Sequence, residues 1–468
     1  MPAGRRTWRR LPRKLRNRLT ADHLVRNSLY LILSSGLQAA LGFAFWIVTA
    51  RLFSLSDVGR ASALISAAVL MAYLALLGLN STFVRYLPTA PDPDVLLTAG
   101  LLLVAVCGAG LGLLYVTFIP VLAPPLAFVS ASAALAAGFM LLTSVGAVNL
   151  LTDSVFIAAR KSGYNALVDG GIGGLSKLVF AVVLAGTGSY GLFSASAGGY
   201  VMASLASVIL LTTALHYRPS FREPVRLIKP LLRFSAASYL ANNLNLLPTL
   251  VLPLIVLDRL GPSAAAYYFV AFQVSTVLYS AAYAVEQAFL AEGGQVAGKL
   301  SAPLLRRSLQ VLMALCLPAC ALLMLAAPGL LLAFGVAYRQ HGTLPLIVLA
   351  SAAPALAMNN WLQALLRLLG RLRALMLSAA VQAIAICGLA WVLAPHGATA
   401  VAAAWPAGGL IGTAASAVPC RVAFRKWKMT PSTDKFSAQP GTIESMPKLL
   451  REQQNDTING QTPNRCLD

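Results

Sequence analysis

Twelve apolar stretches follow one another along the chain, separated by polar connections too short to form domains of their own. They run over 27–50, 61–80, 95–119, 126–152, 167–186, 191–216, 232–257, 264–290, 308–334, 344–366, 374–394 and 400–423. About 20 residues rising 1.5 Å each cross a ~30 Å hydrocarbon core, so every stretch is long enough to be a membrane-spanning helix. The expected fold is therefore all-α and polytopic, with twelve transmembrane segments. Two local features interrupt the pattern. Pro248 and Pro253 in segment 7 lack backbone donors and are expected to bend or break it. Gly170, Gly171, Gly173 and Gly174 are expected to loosen segment 5 and let another backbone approach.

Composition agrees with the pattern. Charged residues make up 11% of the chain, against about 25% in soluble domains, and AVILMFWYC residues reach 58%, so water is not the solvent for most of the surface. Of the 36 Lys and Arg residues, 31 lie in the N-terminal segment, the tail and every second connection, counting Arg233 and Arg421 at the edges of segments 7 and 12. The exceptions are Arg51, Arg60, Arg259 and Arg339 in the other connections and Lys177 within segment 5. By the positive-inside rule both termini are expected to be cytoplasmic. The net charge of +21 then reports orientation and attraction to anionic membrane lipids, and nucleic acid is not an expected partner. The run 5–18, with Trp8 and Leu11 among its basic residues, is expected to anchor the chain at the cytoplasmic surface. Segment 1 exceeds the apolar core of a cleaved signal peptide, and no small-residue cleavage site follows it, so it is expected to be retained. The six cysteines and four histidines form no metal-type cluster; Cys316 and Cys320 share a helix face, but two sulfurs do not make a site. No metal or cofactor is expected.

An internal repeat organises the twelve segments. A shift of 208 residues lays Arg51-Leu52 on Arg259-Leu260 and Ser34-Ser35 on Asn242-Asn243. With a residue or two of slippage, Asn80 and Ser81 meet Glu286 and Gln287. Six segments per half is an even number, so the halves are related by a parallel pseudo-two-fold along the membrane normal, two lobes flanking a V-shaped central cavity. The expected boundaries are a basic cytoplasmic segment 1–26, an N-terminal six-helix lobe 27–216, a proline-rich cytoplasmic linker 217–231, a C-terminal six-helix lobe 232–423 and a disordered cytoplasmic tail 424–468. A sequon at Asn455 falls in that tail, away from any glycosylation machinery. No connection approaches domain size, which argues against an enzyme needing an appended catalytic unit.

The stretch Ala50-Arg51-Leu52-Phe53-Ser54-Leu55-Ser56-Asp57-Val58-Gly59, an apolar helix, and then Gly78-Leu79-Asn80-Ser81-Thr82-Phe83-Val84-Arg85-Tyr86-Leu87-Pro88 resembles the first helical hairpin of the polysaccharide and O-antigen flippases. These belong to the superfamily that also holds multidrug and toxin extruders and peptidoglycan lipid flippases. The resemblance is strongest over 27–88. It implies alternating access, with two six-helix lobes rocking about a central cavity and carrying a polyprenyl-diphosphate-linked oligosaccharide from the inner to the outer leaflet. Leu290-Ala291-Glu292-Gly293 departs from the proline-containing wording expected at the end of segment 8.

Candidate site residues are the polar groups retained inside apolar segments, where an ionisable side chain costs about 2.5–3.5 kcal/mol on insertion scales. Lys177 is a candidate cavity cation for a diphosphate, or a packing residue that pairs with another helix or, across a kink, with Asp169, roughly 12 Å away along a straight helix. Segment 7 carries Asn242, Asn243 and Asn245, whose amides can hydrogen-bond sugar hydroxyls or neighbouring helices. Asn80 and Gln273 join them as candidate substrate contacts, with Gln38, Asn359, Asn360 and Gln363 as further amides. Arg85 meets the diphosphate at the cytoplasmic mouth or anchors segment 2. Asp169 and Glu286 are candidate ion-coupling carboxylates, with a gate salt bridge as the other reading of Glu286. Arg51 and Arg259 are assigned to structure, each capping helix carbonyls at an outer turn.

The expected protein is a non-enzymatic, multi-pass flippase of a bacterial-type inner membrane, translocating a lipid-linked oligosaccharide or polysaccharide precursor, with a polysaccharide polymerase or glycosyltransferases as further partners. The alternatives are an ion-coupled multidrug or cation extruder of the same superfamily and a membrane enzyme of polysaccharide assembly. The extruder wants a buried carboxylate in its N-terminal lobe, which segments 1 and 2 lack.

Overall fold

The structure, a computed structural model, describes residues 38–90, 92–220, 224–295 and 302–429. The expectations for the basic segment 1–26, the first half of segment 1 and the tail beyond Met429 lie outside the described residues. The described chain is helical, without strands. Its helices are α1 (Gln38–Leu52), α2 (Leu55–Ala75), α3 (Leu79–Tyr86), α4 (Pro93–Leu122), α5 (Ala133–Ala158), α6 (Gly163–Val183), α7 (Gly188–Ala214), α8 (Pro224–Leu260), α9 (Pro262–Gln295), α10 (Ala302–Leu332), α11 (Val336–Ser351), α12 (Ala353–Leu368), α13 (Leu372–Leu393) and α14 (Ala398–Met429). Among the described residues eleven spans are long and apolar enough to cross a membrane, and α1 is a shorter apolar helix. The chain is a polytopic membrane protein. Large apolar side chains such as Val121, Val183, Leu322, Leu325 and Ile384 are exposed, as lipid-facing positions must be when no water surrounds them.

Most boundaries follow the apolar pattern, with four informative differences. Helix α8 starts at Pro224 inside the expected linker, and α14 runs to Met429, six residues into the expected tail. Pro248 and Pro253 do not break α8, which is helical from Pro224 to Leu260; neighbouring helices in a packed bundle tolerate the missing donors. Segment 2 is instead broken where no proline stands. It divides into α2 and α3 at Leu76–Gly78, with Leu77 at φ 49° and Gly78 at φ 82°. The glycine run of segment 5 does loosen its helix: Ala166–Gly173 is wound as a π-helix. The hairpin motif has a local cause too. Ser54 caps α2, its hydroxyl accepting the Asp57 backbone N–H at 3.2 Å, while Asp57 sits in the first turn where a negative charge meets the helix dipole.

Helices before residue 217 pack mainly on one another, as do those after 224, and α2 is the main bridge, lying against α8 and α9 of the second half. The halves differ in how they meet at the two ends of the bundle. At the end holding the α1–α2, α8–α9 and α10–α11 turns, one continuous apolar cluster runs through both halves, joining Trp46, Phe53 and Leu64 to Phe269, Phe272 and Phe334. Toward the other end, where the basic connections lie, this gives way to two separate clusters. One is built on Phe83 and Leu151 of the first half, and one on Leu312 and Trp361 of the second. Burial thus joins the halves at one end and parts them at the other.

Candidate functional site

Between the two separated clusters lies a cavity of about 640 Å³. Its first-half wall is short: Tyr73 and Leu76 from the end of α2, and Asn80 from the start of α3. Its second-half wall is polar and comes from α8, α9, α12 and α13, with Trp405 of α14 toward the closed end. The break at Leu76–Gly78 shapes the first wall. It frees the Leu74 carbonyl, which accepts the Tyr239 hydroxyl of α8 at 2.6 Å, a hydrogen bond from the other half. It also brings Asn80 to the cavity lining.

The second wall is organised by one face of α12. Asn360, Gln363 and Arg367 follow at intervals of three and four and therefore share a face. Arg367 donates through Nη1 to Glu286 Oε1 of α9 at 3.3 Å and through Nη2 to Asn242 Oδ1 of α8 at 3.3 Å. Glu286 is 4% exposed, whereas Arg367 is 28% exposed. Gln363 and Asn245 exchange amide hydrogen bonds at 2.7 and 3.2 Å, tying α12 to α8. Asn243 Nδ2 donates to the Tyr239 carbonyl of its own helix at 2.9 Å. Among the residues lining the cavity, Glu286 is the one carboxylic acid and Arg367 the one basic side chain.

The structure thus brings together Asn80, Asn242, Asn243, Asn245 and Glu286 from the sequence candidates, with Asn360 and Gln363. It does not bring the others there. Lys177 Nζ lies 4.0 Å from the centre of the Tyr200 ring, between α6 and α7, a cation–π contact within the first half. Asp169 accepts the Asn149 amide at 3.0 Å and has the carboxyl of Asp153 as neighbour, so its partners are on α5 and not Lys177. Arg85 is exposed at the end of α3, over the Tyr86 ring at 5.5 Å. Gln273 sits in α9 toward the closed end, outside the cavity lining. Asn359, one position from Asn360, is fully buried behind it, donating to Gln382 Oε1 and accepting from Ser416 Oγ, both at 2.7 Å.

Arg367 is not among the sequence candidates, because in the chain it stands beside Arg371 and Arg373 in a basic connection. The signal was present in the three- and four-residue spacing from Asn360 and Gln363. Tyr73, Tyr239, Tyr283 and Gln382 also line the cavity and had no polar cluster in sequence to mark them. Of the two outer arginines, Arg51 caps carbonyls as expected, but those of another helix: Nε and Nη2 reach Leu332 and Ala333 at 2.9–3.2 Å, across the two halves. Arg259 caps no carbonyl among the described residues; its guanidinium lies 3.6 Å from the centre of the Trp391 ring, beside Asp258.

Solved structures share this architecture. The fold is similar to an inward-facing multidrug resistance MATE family transporter of the MOP superfamily, with TM-score 0.67, 15% identity, and coverage of 86% of this chain and 99% of that one. It is similar to the lipid II flippase MurJ in an inward closed conformation, at TM-score 0.68 and 14% identity, over 92% of this chain and 99% of that one. An outward-facing MATE family transporter matches at TM-score 0.58 and 15% identity, over 87% and 96%. At these identities the likeness is one of fold. No curated protein sequence matches the chain. In sequence, the family described as polysaccharide biosynthesis protein matches residues 24–288, more than half of the chain, and the chain belongs to that family.

Proposed function

We propose that this protein is a flippase that carries a polyprenyl-diphosphate-linked oligosaccharide or polysaccharide precursor from the inner to the outer leaflet by alternating access. The observation that carries the reading is the cavity itself: a polar wall of amides around one guanidinium, enclosed between two helical halves that are joined at the opposite end. A sugar diphosphate crosses hydrocarbon slowly because its polar and charged groups lose water. Amides on α8 and α12 replace that water for sugar hydroxyls, Arg367 replaces it for the diphosphate, and the lipid tail stays in the bilayer. Family membership and the fold shared with a lipid II flippase support the same reading.

In this reading the first half, 27–216, and the second, 232–423, are the moving lobes, 217–231 links them, and the basic ends, with both termini, face the cytoplasm. Asn80, Asn242, Asn243 and Asn245 contact substrate in the cavity. Arg85 acts at the mouth. Asp169, with Asp153 beside it, and Glu286 are the ion-coupling carboxylates. The membrane is a bacterial-type inner membrane, with a polysaccharide polymerase or glycosyltransferases acting on the same lipid.

The test uses full-length protein in proteoliposomes supplied with polyprenyl-diphosphate-linked oligosaccharide on one leaflet. Wild type is expected to move it across, and Arg367→Gln to lower the rate about tenfold or more, the scale of one lost charge-assisted contact. An equal rate in empty liposomes and in those holding wild type sinks the proposal. So does extrusion of cationic drugs by the wild-type protein without any movement of the lipid, which would favour the extruder.

A further inference from the structure

The cavity presents a puzzle in its charges. A guanidinium meant for a substrate anion is already partnered by a carboxylate from its own wall, Glu286 of α9. If that pair were an optimised salt bridge, Arg367 would be unavailable. If Arg367 stood alone, an unpaired cation in a low-dielectric site would cost several kcal/mol in the empty carrier.

The geometry lies between these extremes. Charge-assisted N–H···O contacts close to about 2.7–2.9 Å, and an Arg–carboxylate pair is often bidentate. Here one carboxylate oxygen meets one guanidinium nitrogen at 3.3 Å, and the second nitrogen meets only the neutral Asn242 amide oxygen, also at 3.3 Å. Both contacts are long and neither uses the fork. Both residues line the cavity, but Glu286 is nearly sealed and Arg367 is the more exposed partner. An anion with several oxygens arriving from the cavity would meet the open side of the guanidinium and offer what Glu286 does not, two oxygens in the plane of the fork.

We infer that Glu286 is an internal stand-in for the substrate's diphosphate: it neutralises Arg367 in the empty carrier, yields it to the diphosphate on loading, and competes for it again at release. This rests on the reading of the substrate as a diphosphate-linked lipid. The device keeps the empty cavity neutral and weakens the grip on the anion, so that a carrier able to bind the headgroup can also let it go. It also assigns the diphosphate to one side. Glu286, Arg367 and Asn242 all belong to the second half, and the facing wall offers the uncharged Tyr73, Leu76 and Asn80.

The experiment titrates purified full-length protein with a sugar-free polyprenyl diphosphate and, separately, with the matching polyprenyl alcohol, and records thermal unfolding alongside. Wild type is expected to prefer the diphosphate. Glu286→Gln, which keeps the shape and removes the competing charge, is expected to bind the diphosphate about tenfold tighter, with affinity for the alcohol unchanged. Arg367→Gln is expected to lose the preference, with or without Glu286→Gln. A salt bridge serving packing alone predicts the reverse for Glu286→Gln, and equal or weaker diphosphate binding by that variant overturns the inference. Should Glu286→Gln fail to fold, Glu286→Asp, one methylene shorter, replaces it. Tighter binding than wild type is expected there too, and equal or weaker binding again overturns the inference. A wild type that does not distinguish diphosphate from alcohol removes the substrate reading and the stand-in together. A wild type that does distinguish them, with unchanged affinity on loss of the Glu286 charge, removes the stand-in alone.

Discussion

Asn359 and Asn360 are chemically identical neighbours on α12 that meet opposite surroundings. Asn360 lines the cavity, while Asn359 is fully buried in a three-way hydrogen-bond set with Gln382 of α13 and Ser416 of α14. The buried one ties three helices and leaves two stranded partners if removed. Asn359→Ala is therefore expected to destabilise the protein by about 1–3 kcal/mol, the cost of unpaired buried polar groups. Asn243→Ala removes one bond to its own helix and is expected to cost no more than about 0.6 kcal/mol, the average for polar contacts in membrane helices. Thermal unfolding in detergent checks both, and equal losses would contradict this division of labour. The residue types at both positions could be read in the chain. Which of them met a cavity could not, because a 100° step around the helix separates a lining side chain from a buried one. Lys177 shows the same limit: its partner, the Tyr200 ring, is on the following helix, and no spacing within segment 5 points to it.

At the scale of elements, the apolar pattern locates helices well and their irregularities poorly. The glycine run of α6 does loosen the helix, into a π-helix, because glycine resists unwinding least. Two prolines in α8 do not interrupt it, and the consequential break, between α2 and α3, carries none. That break depends on Gly78, whose φ of 82° is left-handed. A side chain there costs about 1–2 kcal/mol. Gly78→Ala is thus expected to lower stability by that amount and to reduce translocation, since the break brings Asn80 to the cavity and frees the Leu74 carbonyl for Tyr239. A Gly78→Ala protein with wild-type unfolding temperature and wild-type transport would show that the break has no such role.

Across the whole molecule, the continuous apolar contact between the halves lies at one end. Phe43 packs edge-on to Phe334 at 5.2 Å between ring centroids, and Trp46 to Phe269 at 4.6 Å. Gly59 lies so near the Pro262 backbone that a methyl group there would collide with it. Arg51 adds hydrogen bonds to the Leu332 and Ala333 carbonyls, at a helix C-terminus where a cation also meets the dipole. These contacts exist only while that end is closed, so weakening them shifts the population toward states open there. Gly59→Ala and Arg51→Ala are each expected to lengthen the distance between spin labels placed on the α1–α2 and α10–α11 turns, measured by double electron–electron resonance. Distance distributions identical to wild type in both variants would mean that these groups do not hold the end shut.

Composition and local pattern fix the solvent, the eleven apolar spans that the described residues show and the polar character of α8 and α12. All of these depend on composition and on periods of a few residues, which are local properties. Which polar faces look at each other is set by how the helices pack. Arg367 became the cavity cation because α9 supplies a carboxylate and α8 an amide from far along the chain, and Lys177 did not because an aromatic ring lies over it. A side chain's role in a membrane protein is set by what replaces its lost water. That replacement comes from helices distant in sequence, whose rotation no local pattern records.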